Sequence, residues 1–277
     1  MILHSLTSRH ESRSDEFYFV AIGDIHIGSK GCDVERLRKT VEWVRSCKNC
    51  LWIGMGDYSE SIKVSDRRFD PRSLDPRYRS HLDDLTGMCV NDLNYILSPI
   101  KDKCVGLLTG NHEEKLRLRD WEDVHGRFCT LMGAKDLGHD ALLRWIFSRR
   151  KDGKCSSKKV LHVFASHSTI SGRNEGSKIN RMMNVAGNIE ADLYLFGHGH
   201  SLLRTQTVTL YDPARGRMKL KEHRKAFAQT GTFRKTYVEG THDYSEKGHF
   251  RPADLGACAV RVRPWSDGSD LFEFFTV

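Results

Sequence analysis

Five short stretches of the chain combine Asp, His or Asn with small residues: Gly23-Asp24-Ile25-His26, Gly54-Met55-Gly56-Asp57, Gly110-Asn111-His112-Glu113, Ser166-His167 and Gly197-His198-Gly199-His200. Seven of their side chains offer an oxygen or nitrogen to a metal: Asp24, His26, Asp57, Asn111, His167, His198 and His200. Imidazole mixed with carboxylate and amide oxygen suits Mn, Fe, Zn or Ni better than Ca or Mg. Seven donors are too many for one catalytic ion with open positions. They fit two ions sharing a bridging carboxylate, about 3.5–4 Å apart. Such a pair lowers the pKa of a bridging water, clamps a phosphate and stabilises an in-line transition state. Each piece alone is weak, because an isolated Asp-x-His or Gly-Asp is commonly just structural. The ordered set of five, each after an apolar run, carries the reading.

Those apolar runs are the elements that must position the donors. Residues 17–22 (FYFVAI), 51–55 and 104–108 read as buried strands, each ending at Gly, Asp or Thr-Gly. Asp33 caps a helix in which Val34, Leu37, Val41 and Val44 follow helical spacing. Residues 82–97 repeat the pattern, and Pro99 stops it. Strand, helix, strand, helix, strand is a βαβαβ unit with a parallel sheet. Donors at the carboxyl ends of such strands lie on the rim where open α/β sheets bind ligands. Further on, strands are expected at 142–147 and 160–165 around the basic turn KDGK, then a helix at 179–189 and a strand at 193–196. Short strands at 208–211, 218–221, 228–230, 257–262 and 271–276, with a turn at Asp267-Gly268, make the tail largely antiparallel. The expectation is α/β: a two-sheet core flanked by helices. No linker is visible, so residues 1–277 read as one domain, with 202–277 completing the second sheet. Residues 1–14 are polar enough to fray, although 1–3 could extend a sheet edge.

With 44 Lys and Arg against 36 Asp and Glu in 277 residues, the net charge is +8. A basic excess favours anionic partners such as phosphate esters or nucleic acid, with plain solubility as the alternative. The apolar share rules out a mainly disordered chain, and 23 Gly with 6 Pro rules out collagen-like repeats. No apolar run is long enough for a membrane helix, and the first residues lack a cleavage-site pattern. An intracellular, cytoplasmic protein with eight free thiols is therefore expected. Cys47 and Cys50 form a lone CxxC without the second pair or nearby His that a zinc site needs.

In this order, DxH, GD, GNH[ED], H and GHxH, the chain resembles the calcineurin-like metallophosphoesterases across residues 17–200. The resemblance implies the four-layer αββα sandwich of that family. It also implies that Asp24, His26 and His200 hold one ion, that Asn111, His167 and His198 hold the other, and that Asp57 bridges. His112 then becomes the non-ligand acid that protonates the leaving oxygen, a role suited to a His near its working pKa. Two departures stand out. The last motif reads GHGH where many members have GHTH. After the second motif, Glu60 and Ser61 replace the Asp-Arg-Gly stretch of the protein Ser/Thr phosphatases. The missing Arg counts against a phosphoprotein substrate. Glu60 takes the place of the acid that orients the catalytic His in that branch, against a solvated or capping Glu.

Substrate-reading candidates are weaker. Residues 65–79 interleave Arg67, Arg68, Arg72, Arg77 and Arg79 with Phe69 and Tyr78, as a rim loop or as a surface loop of local Asp–Arg pairs. Arg173 and Lys178, near a helix start after His167, could bind phosphate. Tyr58 could stack on substrate or simply pack. The expected function is a binuclear metal-dependent phosphoesterase, with Mn before Fe, Zn or Ni. Within that class a phosphodiesterase is preferred, acting on DNA, RNA or nucleotides by in-line attack of a metal-bridged hydroxide. A phosphomonoesterase on a small substrate and a non-catalytic binding module of the same fold are the alternatives. The intact donor set and His112 argue against the binding module.

Overall fold

The computed structural model describes residues 1–60, 66, 69–80, 82–168, 170, 172, 174–212, 220–241, 244–266 and 268–277. In chain order the elements are β1 (Ile2–His10), β2 (Phe17–Ile22), α1 (Val34–Ser46), β3 (Cys50–Gly54), α2 (Leu85–Leu97), β4 (Cys104–Leu107), α3 (Asn111–Asp120), α4 (Val124–Met132), β5 (Asp140–Lys151), β6 (Lys154–Ser166), α5 (Glu175–Ala186), β7 (Leu193–Phe196), β8 (Leu202–Tyr211), β9 (Lys221–Thr232), α6 (Tyr244–Lys247), β10 (Gly256–Val262) and β11 (Phe272–Thr276). The strands run β1-β5-β6-β7-β9-β10-β2-β3-β4, with β8 on β9 and β11 on β10. β9 and β10 touch through only two residue pairs, Thr232–Gly256 and Gly231–Ala257, so this junction divides the path into two sheet regions. One holds parallel β2, β3 and β4; the other holds parallel β6, β7 and β9.

The strands alternate faces, as the two-residue period of a strand requires. Val20 and Ile22 of β2 pack with Trp52 against Leu37, Val41 and Val44 of α1 and Leu93 of α2. Phe17, Phe19 and Ala21 point the other way, toward Leu143, Trp145, Phe147 and Val163 of β5 and β6. Leu193 and Leu195 of β7 join that second cluster, while Tyr194 and Phe196 face Met182 of α5. A strand buried on both faces has no polar side to show, which is why FYFVAI reads as an unbroken apolar run. Asp33 caps α1 by accepting the Arg36 N–H at 2.9 Å, as its position suggests.

Several expectations shift. β1 is a nine-residue edge strand parallel to β5, where residues 1–14 read as fraying; every second residue turns partly inward, ending with buried His10. Of the described residues of the strand expected at 218–221, only Lys221 falls in a strand: it starts a long one, β9, that also takes in 228–230 and whose first half is polar because it is half-exposed. Residues 213–219 and Asp267 lie outside the described residues. α2 starts at Leu85 rather than at 82, and Pro99 sits in a 3-10 turn that prolongs the helix to Lys103. α3 and α4 were not anticipated. The eight cysteines form no disulfide. Among the described residues no helix is long and apolar enough to cross a membrane.

Candidate metal centre

The carboxyl ends of β2, β3 and β4 and those of β6 and β7 bring the five motifs to one place. His26 Nε2 lies 3.1 Å from His200 Nε2, and His200 Nε2 lies 3.1 Å from Asp24 Oδ1. On the other side His167 Nε2 is 3.1 Å from Asn111 Oδ1 and 3.3 Å from Asp57 Oδ2, and His198 Nδ1 is 2.6 Å from Asn111 Oδ1. Metal–nitrogen bonds of about 2.1 Å place neighbouring ligands about 3.0–3.4 Å apart, a range that most of these spacings match. Asp24, His26, Asp57 and His200 form one group of convergent donor atoms, and Asp57, His167 and His198 form a second. Asp57 belongs to both.

The fit to ions does not rest on spacing alone. Asp24 Oδ1 is buried and accepts no hydrogen bond, and an orphaned buried carboxylate oxygen is costly unless a cation meets it. His167 Nδ1 faces the Met55 carbonyl at 2.5 Å, and His26 Nδ1 faces the Glu60 carboxylate at 3.1 Å. A proton on each Nδ1 leaves each Nε2 lone pair aimed at the centre, the usual way a protein fixes a ligating imidazole. Without ions the charges are strained. Burial opposes ionisation of Asp57, but His167 and His112 outweigh it and hold its carboxyl well below the ordinary range. Burial likewise disfavours charge on His167, yet the Asp57 carboxylate lifts it to about 10. Burial pushes His26 down to about 4 even with Glu60 beside it. A proton on His167 therefore stands where a cation would fit, and a bound metal would displace it.

Backbone geometry singles out the same residues. Asp24, His26, Asp57, His198 and His200 all have positive φ, between 49° and 70°. Such conformations cost non-glycine residues on the order of 1–3 kcal/mol each and persist only where the surroundings impose them.

Glu113 is the brace that sequence reading quoted but gave no role. Its carboxylate accepts the N–H groups of Asp57, Tyr58, Ser59 and Gly110 at 2.8–3.2 Å. It therefore ties the β3 loop to the start of α3, where the His112 N–H donates to Asp57 Oδ1 at 2.9 Å. Its place three residues into a helix was the visible signal. Arg234 left none: its buried guanidinium lies 3.6 Å from the Glu60 carboxylate, and only folding brings the two together.

Three of the expected site residues lie in surroundings that differ from those their proposed roles imply. The contact between Glu60 and His112 is with the Glu60 backbone: His112 Nδ1 faces the Glu60 carbonyl at 2.7 Å, while the Glu60 carboxylate faces His26 Nδ1 at 3.1 Å. Tyr58 cannot stack on substrate, being 2% exposed, with its hydroxyl donating to the Leu108 carbonyl and its ring 5.0 Å from Phe128. Lys178 turns inward, donating to the Gly199 carbonyl and Ser201 Oγ at 3.0 and 2.8 Å. It steadies the last motif rather than facing a phosphate. Arg72 and Arg77 pair with Asp70 and Asp75, the local-pair reading of that segment. Arg173, Arg67 and Arg68 lie outside the described residues. The glycine between His198 and His200 is obligatory in this packing. A Cβ on Gly199 would overlap the side-chain amide of Gln229, which is buried, donates to Ile170 O at 3.1 Å and accepts from Ser201 Oγ at 2.6 Å.

Motif order and this arrangement of donors now stand together. The chain resembles the calcineurin-like metallophosphoesterases. No protein-family model matches it, and no curated protein does. Solved structures similar to it include a metallophosphoesterase from Sphaerobacter thermophilus, 12% identical, with TM-score 0.38, covering 94% of this chain and 88% of that one. A predicted phosphoesterase from Streptococcus pneumoniae is 10% identical, with TM-score 0.35 and coverage of 95% and 99%. Vps29 of Entamoeba histolytica, solved with Zn2+, is 10% identical, with TM-score 0.34 and coverage of 94% and 99%. Likeness at this level carries no inference about activity, which rests on the residues of the centre.

Proposed function

We propose that this chain is a binuclear metal-dependent phosphoesterase, and within that class a phosphodiesterase acting on nucleic acid or nucleotides. The observation that carries the reading is the pair of donor groups sharing Asp57. The three apolar clusters support a helix–sheet–sheet–helix sandwich in a single domain. Asp24, His26 and His200 would hold one ion, Asn111, His167 and His198 the other, with Asp57 between them. Two divalent ions supply an activated water at neutral pH and neutralise charge on a phosphoryl group. The chain itself does the rest. Asn111 is exposed and His198 and His200 are half-buried, so the centre opens to substrate on that side. His112 is outside both ion groups but beside them, its ring 4.9 Å from that of His26. Its Nδ1 proton is committed to the Glu60 carbonyl, which leaves Nε2–H for the leaving oxygen. Burial lowers its pKa, but the Asp57 and Glu60 charges outweigh burial and hold it above the ordinary histidine value.

The diester preference rests on the basic excess. Arg72 and Arg77, being paired, do not strengthen it. A panel of single- and double-stranded DNA, RNA, cyclic nucleotides and simple mono- and diesters, run with Mn at fixed low salt, tests it. Turnover of monoesters alone would replace the diester reading; no turnover of any substrate by protein holding two ions would overturn the enzyme reading. His112→Ala should keep both ions and lose about 10²–10⁴-fold with an alkoxide leaving group, and much less with nitrophenolate. Loss of bound metal in that variant would make His112 a ligand.

A further inference from the structure

Behind the centre, α4 and the segment leading into β5 bring together three side chains that the proposed chemistry does not use. His125 Nε2 lies 3.0 Å from Asp136 Oδ1 and 3.4 Å from Cys129 Sγ. His125 and Cys129 are four residues apart on α4, so both project from one face of the helix. Both are buried, while Asp136 is exposed and closes the group from the solvent side. Among the described residues this is the only group of convergent metal-binding atoms that contains a cysteine.

From this geometry we infer that His125, Cys129 and Asp136 form a separate three-ligand site for a zinc-like divalent ion, with a fourth position open to water. The chemistry of the set selects the ion. Thiolate, imidazole and carboxylate together suit Zn2+ and its mimic Co2+, and exclude Mg2+ and Ca2+. Tetrahedral bonds of about 2.0–2.3 Å to N, O and S place such ligands about 3.4–3.6 Å apart, so the group closes on an ion with small side-chain shifts. Burial pushes the Cys129 thiol up to about 12, so in the metal-free protein it stays protonated and the ion must displace that proton.

The site has a structural consequence. Segment 134–138 runs beside β4, with Leu107 N–H donating to the Lys135 carbonyl at 2.9 Å and Thr109 N–H to the Gly138 carbonyl at 2.8 Å. Thr109 lies two residues before Asn111, the first residue of α3 and the neighbour of His112. His125 also stacks on Tyr58, with ring centroids 6.3 Å apart and planes 14° from parallel, and Tyr58 follows Asp57 in the chain. An ion here would fasten α4 to the floor of the candidate centre without entering it.

Cobalt substitution tests the site by a readout independent of activity. The candidate binuclear centre contains no cysteine, so a sulfur-to-cobalt charge-transfer band can come from it under no circumstances. The full chain titrated with Co2+ should develop that band to one thiolate-bound ion per chain. Cys129→Ser should abolish it, and Asp136→Asn, an exposed change that leaves the core intact, should weaken binding at this site at least about tenfold. Cys104→Ser should leave the band unchanged. No band in the wild-type protein, or a band that survives in folded Cys129→Ser protein, would overturn the site and show the trio to be hydrogen-bonded only. Either result leaves the proposed phosphoesterase centre standing.

Discussion

The loops ending β2, β3 and β4 and the loops ending β6, β7 and β9 meet at one centre, yet they are held differently. On the first side, Asp24, His26 and Asp57 are buried, and two carboxylates brace their loops: Glu113 gathers four backbone N–H groups, and Glu60 joins His26 to Arg234. On the second side, the loops borrow their support. His167 leans on the Met55 carbonyl at the end of β3, and the His198 N–H donates to Asp24 Oδ2 at 3.0 Å. Lys178 and Gln229 supply the local bracing. The first sheet region is the frame for the histidines of the second, and the end of β9 ties back to it: Arg234 reaches Glu60, and the Thr232 hydroxyl and Phe233 N–H donate to the Asp24 carbonyl at 2.8 and 3.0 Å. The proposed two-ion site would draw its donors from both regions and its bracing from contacts that cross between them.

That asymmetry can be broken in steps. Asp57→Asn, in the frame and common to both donor groups, should remove both ions and with them the activated water, so turnover should fall further than in His112→Ala. His200→Ala, on the closing side, should cost one ion only. Elemental analysis of both proteins decides it, and equal losses would remove the distinction. Glu113→Gln should come next. An amide cannot accept four N–H groups, and leaving buried donors unmet costs about 1–3 kcal/mol each at most. Its thermal midpoint and its ion content should fall together. The smallest effect should follow Lys178→Met, which removes two hydrogen bonds on the closing side, about 0.5–1.5 kcal/mol apiece. It should slightly loosen the ion held by His198 and leave the protein folded. A larger loss from Lys178→Met than from Glu113→Gln would reverse the roles of the two regions.

The sequence singles out the candidate donors and not their braces, for one physical reason. Residue types that can bind a metal are few, so Asp24, His26 or His198 stand out as candidates wherever they occur. Glu113 acts through backbone groups of residues 57–59, and Arg234 acts through Glu60; such pairings exist only after folding. The buried strands were legible because both of their faces are covered, as at residues 17–22. α3 was not, because NHEEKLRLRD buries only His112, Glu113 and Leu116 and shows no apolar stripe. Tyr58 and Lys178 misled because their residue types fit substrate contact, while burial and hydrogen bonding commit them inward.

Gly199 and Gln229 lock against each other between the two histidines of the last motif. The consequence is a covarying pair. Threonine, common at that motif position elsewhere in the resembled family, would clash here while Gln229 fills the space. Gly199→Thr should therefore destabilise the chain by a few kcal/mol, about 1–3 for an overpacked interior site. Shortening residue 229 in the same protein, as Gln229→Ser, should recover part of that loss, a coupling that thermal melts of the two single variants and the double variant would measure. Homologues can then be sorted by a rule of two letters: where the motif reads GHGH, a long amide is expected on the facing strand, and where it reads GHTH, a small residue.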